Sequence, residues 1–141
     1  MSLFLTTQVA INAPLATVWN CFTQPEHIVN WNAASDDWHT TAAENNLTVG
    51  GKFSYAMAAK DGSFGFDFWG IYDVVEQHAF IAYTMGDGRK ARINFSVKNN
   101  ETHVVQLFEP ENENPAEMQQ AGWQMILDNF AKYVLKLSIK I

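Results

Sequence analysis

The chain has 141 residues, 48% of them hydrophobic, and a net charge of −6 from nine basic and fifteen acidic side chains. That length suits one domain, read as residues 1–141, with a sizeable core. The acidic balance argues against nucleic acid, whose phosphates need a clustered basic surface. No apolar run approaches the ~20 residues that cross a bilayer, and a single cysteine leaves no partner for an intrachain disulfide.

Leu3 to Ile11 is rich in β-branched and apolar residues and predicts a first strand. Asn12-Ala13-Pro14 stops it. Pro14 then opens a short helix to about Phe22, with Leu15, Val18, Trp19 and Phe22 on one face. Cys21 lies in this apolar run and reads as a small buried hydrophobe. Thr23-Gln24-Pro25-Glu26 has capping-box spacing and predicts a second short helix toward Trp31. The polar stretch Asn32 to Asn46 follows, part of it a strand around Trp38 to Ala42.

A run of strands comes next. Lys52 to Ala59 alternates Phe53, Tyr55 and Met57 on one face, and Lys60-Asp61-Gly62-Ser63 makes a hairpin turn. Phe64 to Glu76 places Phe64, Phe66, Phe68, Tyr72 and Val74 on one face, against Asp67, Trp69, Ile71, Asp73 and Val75 on the other. Ala79 to Met85, Arg89 to Val97 and Thr102 to Phe108 complete the series, joined by short turns and so antiparallel.

Asn114 as cap, Pro115 in the first turn and Glu117 open a long amphipathic helix that runs nearly to Ile141. At ~1.5 Å per residue, about 23 residues span roughly 35 Å, which matches a strand of about ten residues at roughly 33 Å. Such a helix can lie along or across a whole sheet. Met118, Met125, Ile126, Tyr133, Val134 and Leu137 form its apolar surface, widened by Trp123, Leu127 and Phe130. Lys132, Lys136 and Lys140 read as its solvated face. The expected fold is therefore α+β: a curved antiparallel sheet wrapped around a long C-terminal helix, with two short helices after the first strand.

A curved sheet gripping a helix leaves room for a pocket, and the ten Phe, five Trp and four Tyr can fill a core or line a cavity. The expected lining is Trp31, Tyr55, Phe68, Tyr83, Phe95, Met118, Gly122 and Met125. Gly122 costs its helix about 1 kcal/mol relative to alanine, a cost offset either by close packing against the sheet or by room for a ligand. Asp67, His39 and Asp36 are candidate polar anchors. Asp67 interrupts an aromatic segment, yet alternation also allows it to face water. The tyrosines Tyr55, Tyr83 and Tyr133 pair an apolar ring with a hydroxyl able to orient a ligand. The histidines His27, His39, His78 and His103 are scattered, without metal-ligand spacing, so neither a metal nor a cofactor is expected. No hydrolase elbow or phosphate loop is present.

The order strand, two short helices, strand meander, long terminal helix resembles the START-like (Bet v 1-like, SRPBCC) helix-grip superfamily. Ala13-Pro14 with Val18-Trp19, then Pro25-Glu26-His27-Ile28 with Trp31, are similar to its opening. Val49-Gly50-Gly51-Lys52-Phe53, Asp61-Gly62, and Gly122-Trp123 with Ile126-Leu127 resemble the subgroup related to the C-terminal domain of the activator of heat-shock-protein-90 ATPase. The resemblance implies a deep, mostly apolar cavity between helix and sheet. Relatives bind lipids, sterols, hormones or polyketides, and some are cyclases, aromatases or hydrolases with no catalytic set in common.

Three functions follow as expectations. The first is binding of a small apolar or aromatic molecule, by a cytoplasmic monomer or homodimer that touches neither nucleic acid nor membrane. The N-terminus lacks the basic region of a signal peptide. The second is a cyclase or hydrolase acting in the same cavity, which needs an acid or base facing it. The third is a chaperone-related interaction module, which needs an exposed apolar patch.

Overall fold

Residues 4–139 are described by the structure, a computed structural model. The elements in chain order are β1 (Leu5–Ile11), α1 (Leu15–Thr23), α2 (Pro25–Trp31), β2 (Trp38–Asn45), β3 (Lys52–Ala59), β4 (Gly65–Glu76), β5 (Phe80–Met85), β6 (Lys90–Lys98), β7 (Glu101–Phe108) and α3 (Ala116–Ile139). The seven strands form one curled sheet in the order β1-β7-β6-β5-β4-β3-β2, every neighbour antiparallel. The α+β helix-grip architecture expected from the sequence is the one observed. The start of the first predicted strand and Lys140 lie outside the described residues.

Local details depart from the sequence reading in instructive ways. The capping box before α2 does not form: Gln24 occupies the cap, and Thr23 donates its hydroxyl to the Trp19 carbonyl at 2.8 Å instead. Asn114 likewise turns its amide to Glu111 (2.9 Å), while the Pro115 carbonyl accepts from the Met118 and Gln119 amides of α3. In β4 the register against β5 jumps between Tyr72 and Val74. This bulge at Asp73 inverts the alternation, so Val75, paired with Ile81, packs on the core where the sequence pattern placed Val74. The β6–β7 turn is tight because Asn99 and Asn100 both accept left-handed backbone, with φ of 54° and 64°.

The apolar stripe of α3 is Trp123, Leu127, Phe130, Val134 and Leu137, at i, i+4, i+7, i+11 and i+14. Met118 and Met125 sit off it, 60% and 48% exposed, which corrects the apolar surface expected from the sequence. Towards its C-terminal end the stripe meets α1 and α2 in an aromatic plug. The Phe130 ring lies 5.2 Å from Phe22 and 4.9 Å from Trp31, and Trp19 abuts Phe95 at 5.0 Å. Cys21 is buried within this plug and burial raises its thiol pKa, as for an inert apolar side chain.

Near its N-terminal end α3 is tied to β1 by hydrogen bonds. Gln120 donates to the Thr6 carbonyl at 2.8 Å. Gln124 donates to the Gln8 carbonyl at 2.9 Å and accepts from the Gln8 amide at 3.1 Å. β1 is a terminal strand of the sheet, so these two glutamines satisfy three of the backbone groups on its free edge.

Gly122 is not packed against the sheet. A methyl group built on it meets no atom within 4 Å. Gly122→Ala is therefore expected to stabilise the protein by about 0.5–1 kcal/mol, from helix propensity and a less free unfolded chain. A rise in denaturant midpoint at constant slope checks this, and a fall would reveal a contact absent from the static fold.

Candidate functional site

The inner face of the sheet is set by alternation. Phe53, Tyr55 and Met57 of β3 lie beside Phe66, Phe68 and Tyr72 of β4, with Tyr55 paired to Phe68 and Met57 to Phe66. Tyr83 of β5 pairs with Tyr72. The rings meet one another, Phe53 lying 4.8 Å from Tyr83 and 5.5 Å from Phe68. On the α3 side, Trp123 stacks on Phe108 at 3.9 Å with planes 6° apart, and stands edge-on to Phe68 at 6.1 Å.

Between these surfaces lies a cavity of about 270 Å³. Its floor is Phe53, Tyr55, Met57, Phe66, Phe68, Tyr83 and Gln106. Its roof is Trp123, Ile126 and Leu127, its back wall Phe22 and Trp31, and Asn32 and Arg89 complete it. Eight of these fourteen residues are aromatic, so stacking and apolar contact dominate what the space can offer.

Of the residues singled out from sequence, Trp31, Tyr55, Phe68 and Tyr83 line this cavity together. Phe95 sits one layer behind, buried against Trp19 and 5.5 Å from Phe22. Met118, Gly122 and Met125 lie on α3 outside the wall. Asp67 pairs with Ala56, between the inward Tyr55 and Met57, and so faces outward and is exposed. His39 precedes the buried Thr40 on β2 and takes the opposite face, and Asp36 is exposed before that strand begins. None of the three reaches the cavity wall. Tyr133 is engaged elsewhere, its hydroxyl 2.6 Å from His27 Nδ1.

The polar groups that do line the cavity are different ones. Gln106 stands in the apolar phase of β7, among Thr102, Val104 and Phe108, and its Oε1 accepts from the Thr7 hydroxyl at 3.2 Å. Asn32 donates to the buried Thr40 hydroxyl at 3.1 Å and takes that hydroxyl's own proton on its carbonyl at 2.7 Å. Arg89, just after the β5–β6 turn, donates from Nε to Asp87 at 2.7 Å and from Nη1 to the Glu109 carbonyl at 3.3 Å. Burial first, and the neighbouring Tyr72 second, push the Tyr83 hydroxyl pKa well up, with Arg89 pulling the other way. Burial also raises Tyr55 strongly. Both remain protonated phenols at neutral pH, and the Tyr55 hydroxyl is hydrogen-bonded to Tyr72. Among the described residues no three His, Cys, Asp or Glu side chains converge on a metal-sized point, and no helix is long and apolar enough to cross a membrane.

A curled antiparallel sheet that holds a C-terminal helix over an aromatic cavity defines the helix-grip class, the START/SRPBCC type of fold. Residues 12–135 match the family described as Activator of Hsp90 ATPase homolog 1-like protein, and the chain belongs to that family. Among solved structures it is similar to an AHSA1-like protein from Aeromonas hydrophila, with 41% identity, a TM-score of 0.91, and coverage of 96% of this chain and 94% of that one. It is also similar to the protein Chr148 from Cytophaga hutchinsonii, with 45% identity, a TM-score of 0.79, and coverage of 94% and 90%. Protein NE0264 from Nitrosomonas europaea, 18% identical with a TM-score of 0.82 over 95% of each chain, shares the fold. No curated protein matches the chain significantly.

Proposed function

We propose that the protein binds a small hydrophobic or aromatic molecule in the space between α3 and the sheet. The observation that carries this reading is the aromatic cavity of about 270 Å³ between helix and sheet, open to solvent on one side. A concave, mostly aromatic surface of this kind gains by burying an apolar guest, with a few polar groups left to orient it. Its size stands just below the range of about 300–1,000 Å³ usual for small-molecule sites. Trp31, Tyr55, Phe68 and Tyr83 are the proposed contacts from the sequence pattern, joined by Phe53, Trp123 and Ile126. An acid–base enzyme is less well supported, because no carboxylate or histidine among the described residues lines the cavity.

The test is a thermal-shift series with small neutral aromatics such as 1-naphthaleneacetamide, read beside quenching of tryptophan fluorescence. Tm is expected to rise with ligand concentration, as mass action requires. Ile126→Trp, which fills the space from the roof, is expected to abolish the response while leaving the circular dichroism unchanged. A response untouched by this substitution would place binding elsewhere, and no response from any apolar compound would end the reading.

One observation favours a second reading, an interaction module. Phe64 and Phe66, 63% and 46% exposed, gather with Trp38 at the tip of the β3–β4 hairpin, ring centroids about 6 Å apart. Phe66 belongs to both surfaces, so the test is made at Phe64: Phe64→Ser is expected to leave ligand binding intact, as titration of the variant with 1-naphthaleneacetamide checks.

A further inference from the structure

Arg89 is the one charged side chain among the described residues of the cavity wall. It also borders a second, shallower depression of about 230 Å³ outside the sheet, together with Asp67, Trp69, Gly86 and Asp87. The two concavities share Phe66, Phe68 and Arg89, so the guanidinium stands where the inner space meets the outside. β4 makes this gap. Its pairing with β5 begins only at Gly70, opposite Met85, so residues 65–69 run past the β5–β6 turn.

The guanidinium is held but not used up. Nε is committed to Asp87 and Nη1 to the Glu109 carbonyl, while Nη2 makes no hydrogen bond among the described residues. Asp87 is itself half exposed, so the pair is a surface pair and worth little. Facing inward from Arg89, the floor offers the Tyr83 hydroxyl and, farther along β7, the Gln106 amide, whose Oε1 is taken by Thr7 and whose NH₂ is left over. The wall thus presents donors and one positive charge at the mouth, and aromatic surface at the back. No carboxylate lines the cavity itself, although Asp87 holds Nε and Glu111 lies within electrostatic reach of the guanidinium.

We infer that the cavity takes an amphipathic monocarboxylate, with its apolar body between Trp123 and the sheet aromatics and its carboxylate on Arg89 at the mouth. This inference rests on the ligand-binding reading above and names the ligand class for it. Asp87 opposes it as well as positioning the guanidinium, which gives the test a second handle.

The experiment compares 1-naphthaleneacetate with its neutral isostere 1-naphthaleneacetamide by calorimetric titration of the full chain. The acid is expected to bind about tenfold more tightly, the worth of one charge-assisted hydrogen bond. Arg89→Met is expected to weaken the acid far more than the amide and so to remove most of the tenfold difference, and Arg89→Lys to keep part of it. Asp87→Asn, which frees Nε without touching the fold of the strands, is expected to tighten the acid alone. Equal binding of the two compounds by the wild type, or a parallel loss of both in Arg89→Met, overturns the inference and leaves apolar binding standing. Failure of both compounds to bind removes the ligand-binding reading and this inference with it.

Discussion

Phe130→Ala is expected to cost about 3–5 kcal/mol of stability, the range for removing a fully buried phenylalanine ring. Phe130 has no exposed surface and is the point where α3 meets both short helices, through Phe22 and Trp31. Those two rings are also the back wall of the cavity. The methyl group that remains cannot keep them apart, and collapse is resisted by Val134 and Leu127 on either side, both buried. Typical domains have only ~5–15 kcal/mol in hand, so a large share would be lost. Guanidinium denaturation followed by circular dichroism measures it. A loss below about 1 kcal/mol would mean that α3 is held chiefly by its other contacts. Phe130→Leu should recover most of the stability, which separates lost volume from lost ring geometry.

Gly70→Ala is expected to destabilise by about 1–3 kcal/mol or more and to deform the ligand space at once. A methyl group on Gly70 would stand 2.7 Å from Phe53 Cε2 and 2.8 Å from the Thr84 carbonyl oxygen. The first contact is with a buried ring, the second with backbone of the neighbouring strand, so neither can yield cheaply. Phe53 must turn, and it belongs to the cavity floor. A lower Tm together with weakened 1-naphthaleneacetamide binding is the expected pair of results. Unchanged stability would show that β4 and β5 separate more readily than their ladder implies. Gly122→Ala, with open space at its methyl position, is the matched control.

The contrast between these glycines shows what sequence can and cannot reveal. Both interrupt a regular element, and both invite the same explanation of close approach. Only Gly70 has it. The antiparallel meander and the residues that share a face of β3 and β6 were legible from the alternation of Phe53, Tyr55 and Met57 and of Ala91, Ile93 and Phe95, whereas which face turns inward depends on where α3 packs. Alternation fails where an extra residue enters the ladder, so the bulge at Asp73 hid the inward turn of Val75. The helix was harder, because α3 is apolar around more than half its girth. Which part meets the sheet depends on the long-range Phe108–Trp123 stack, not on spacing within the helix. That is why Met118 and Met125 were included with the expected lining while Ile126 was not.

The polar side of the site was the least legible. Asp67 drew attention because it breaks an aromatic run, yet it holds the outward phase of its strand. Gln106 breaks the apolar phase of its own strand, between Val104 and Phe108, and the same test of phase would have singled it out. Arg89 carried no such signal, since a charged residue after a Gly-Asp-Gly turn is ordinary, and its place at the cavity follows only from how far β4 overruns β5.

The bonds from Gln120 and Gln124 to Thr6 and Gln8 have a consequence for assembly. A foreign peptide seeking to extend the sheet at β1 finds the Thr6 carbonyl and the Gln8 amide and carbonyl already occupied by side chains of the segment that roofs the cavity. Recruitment of an added strand at that border therefore requires α3 to lift, and the chamber cannot stay intact when it does. Misassembly along this border is thus expected to open the cavity as well.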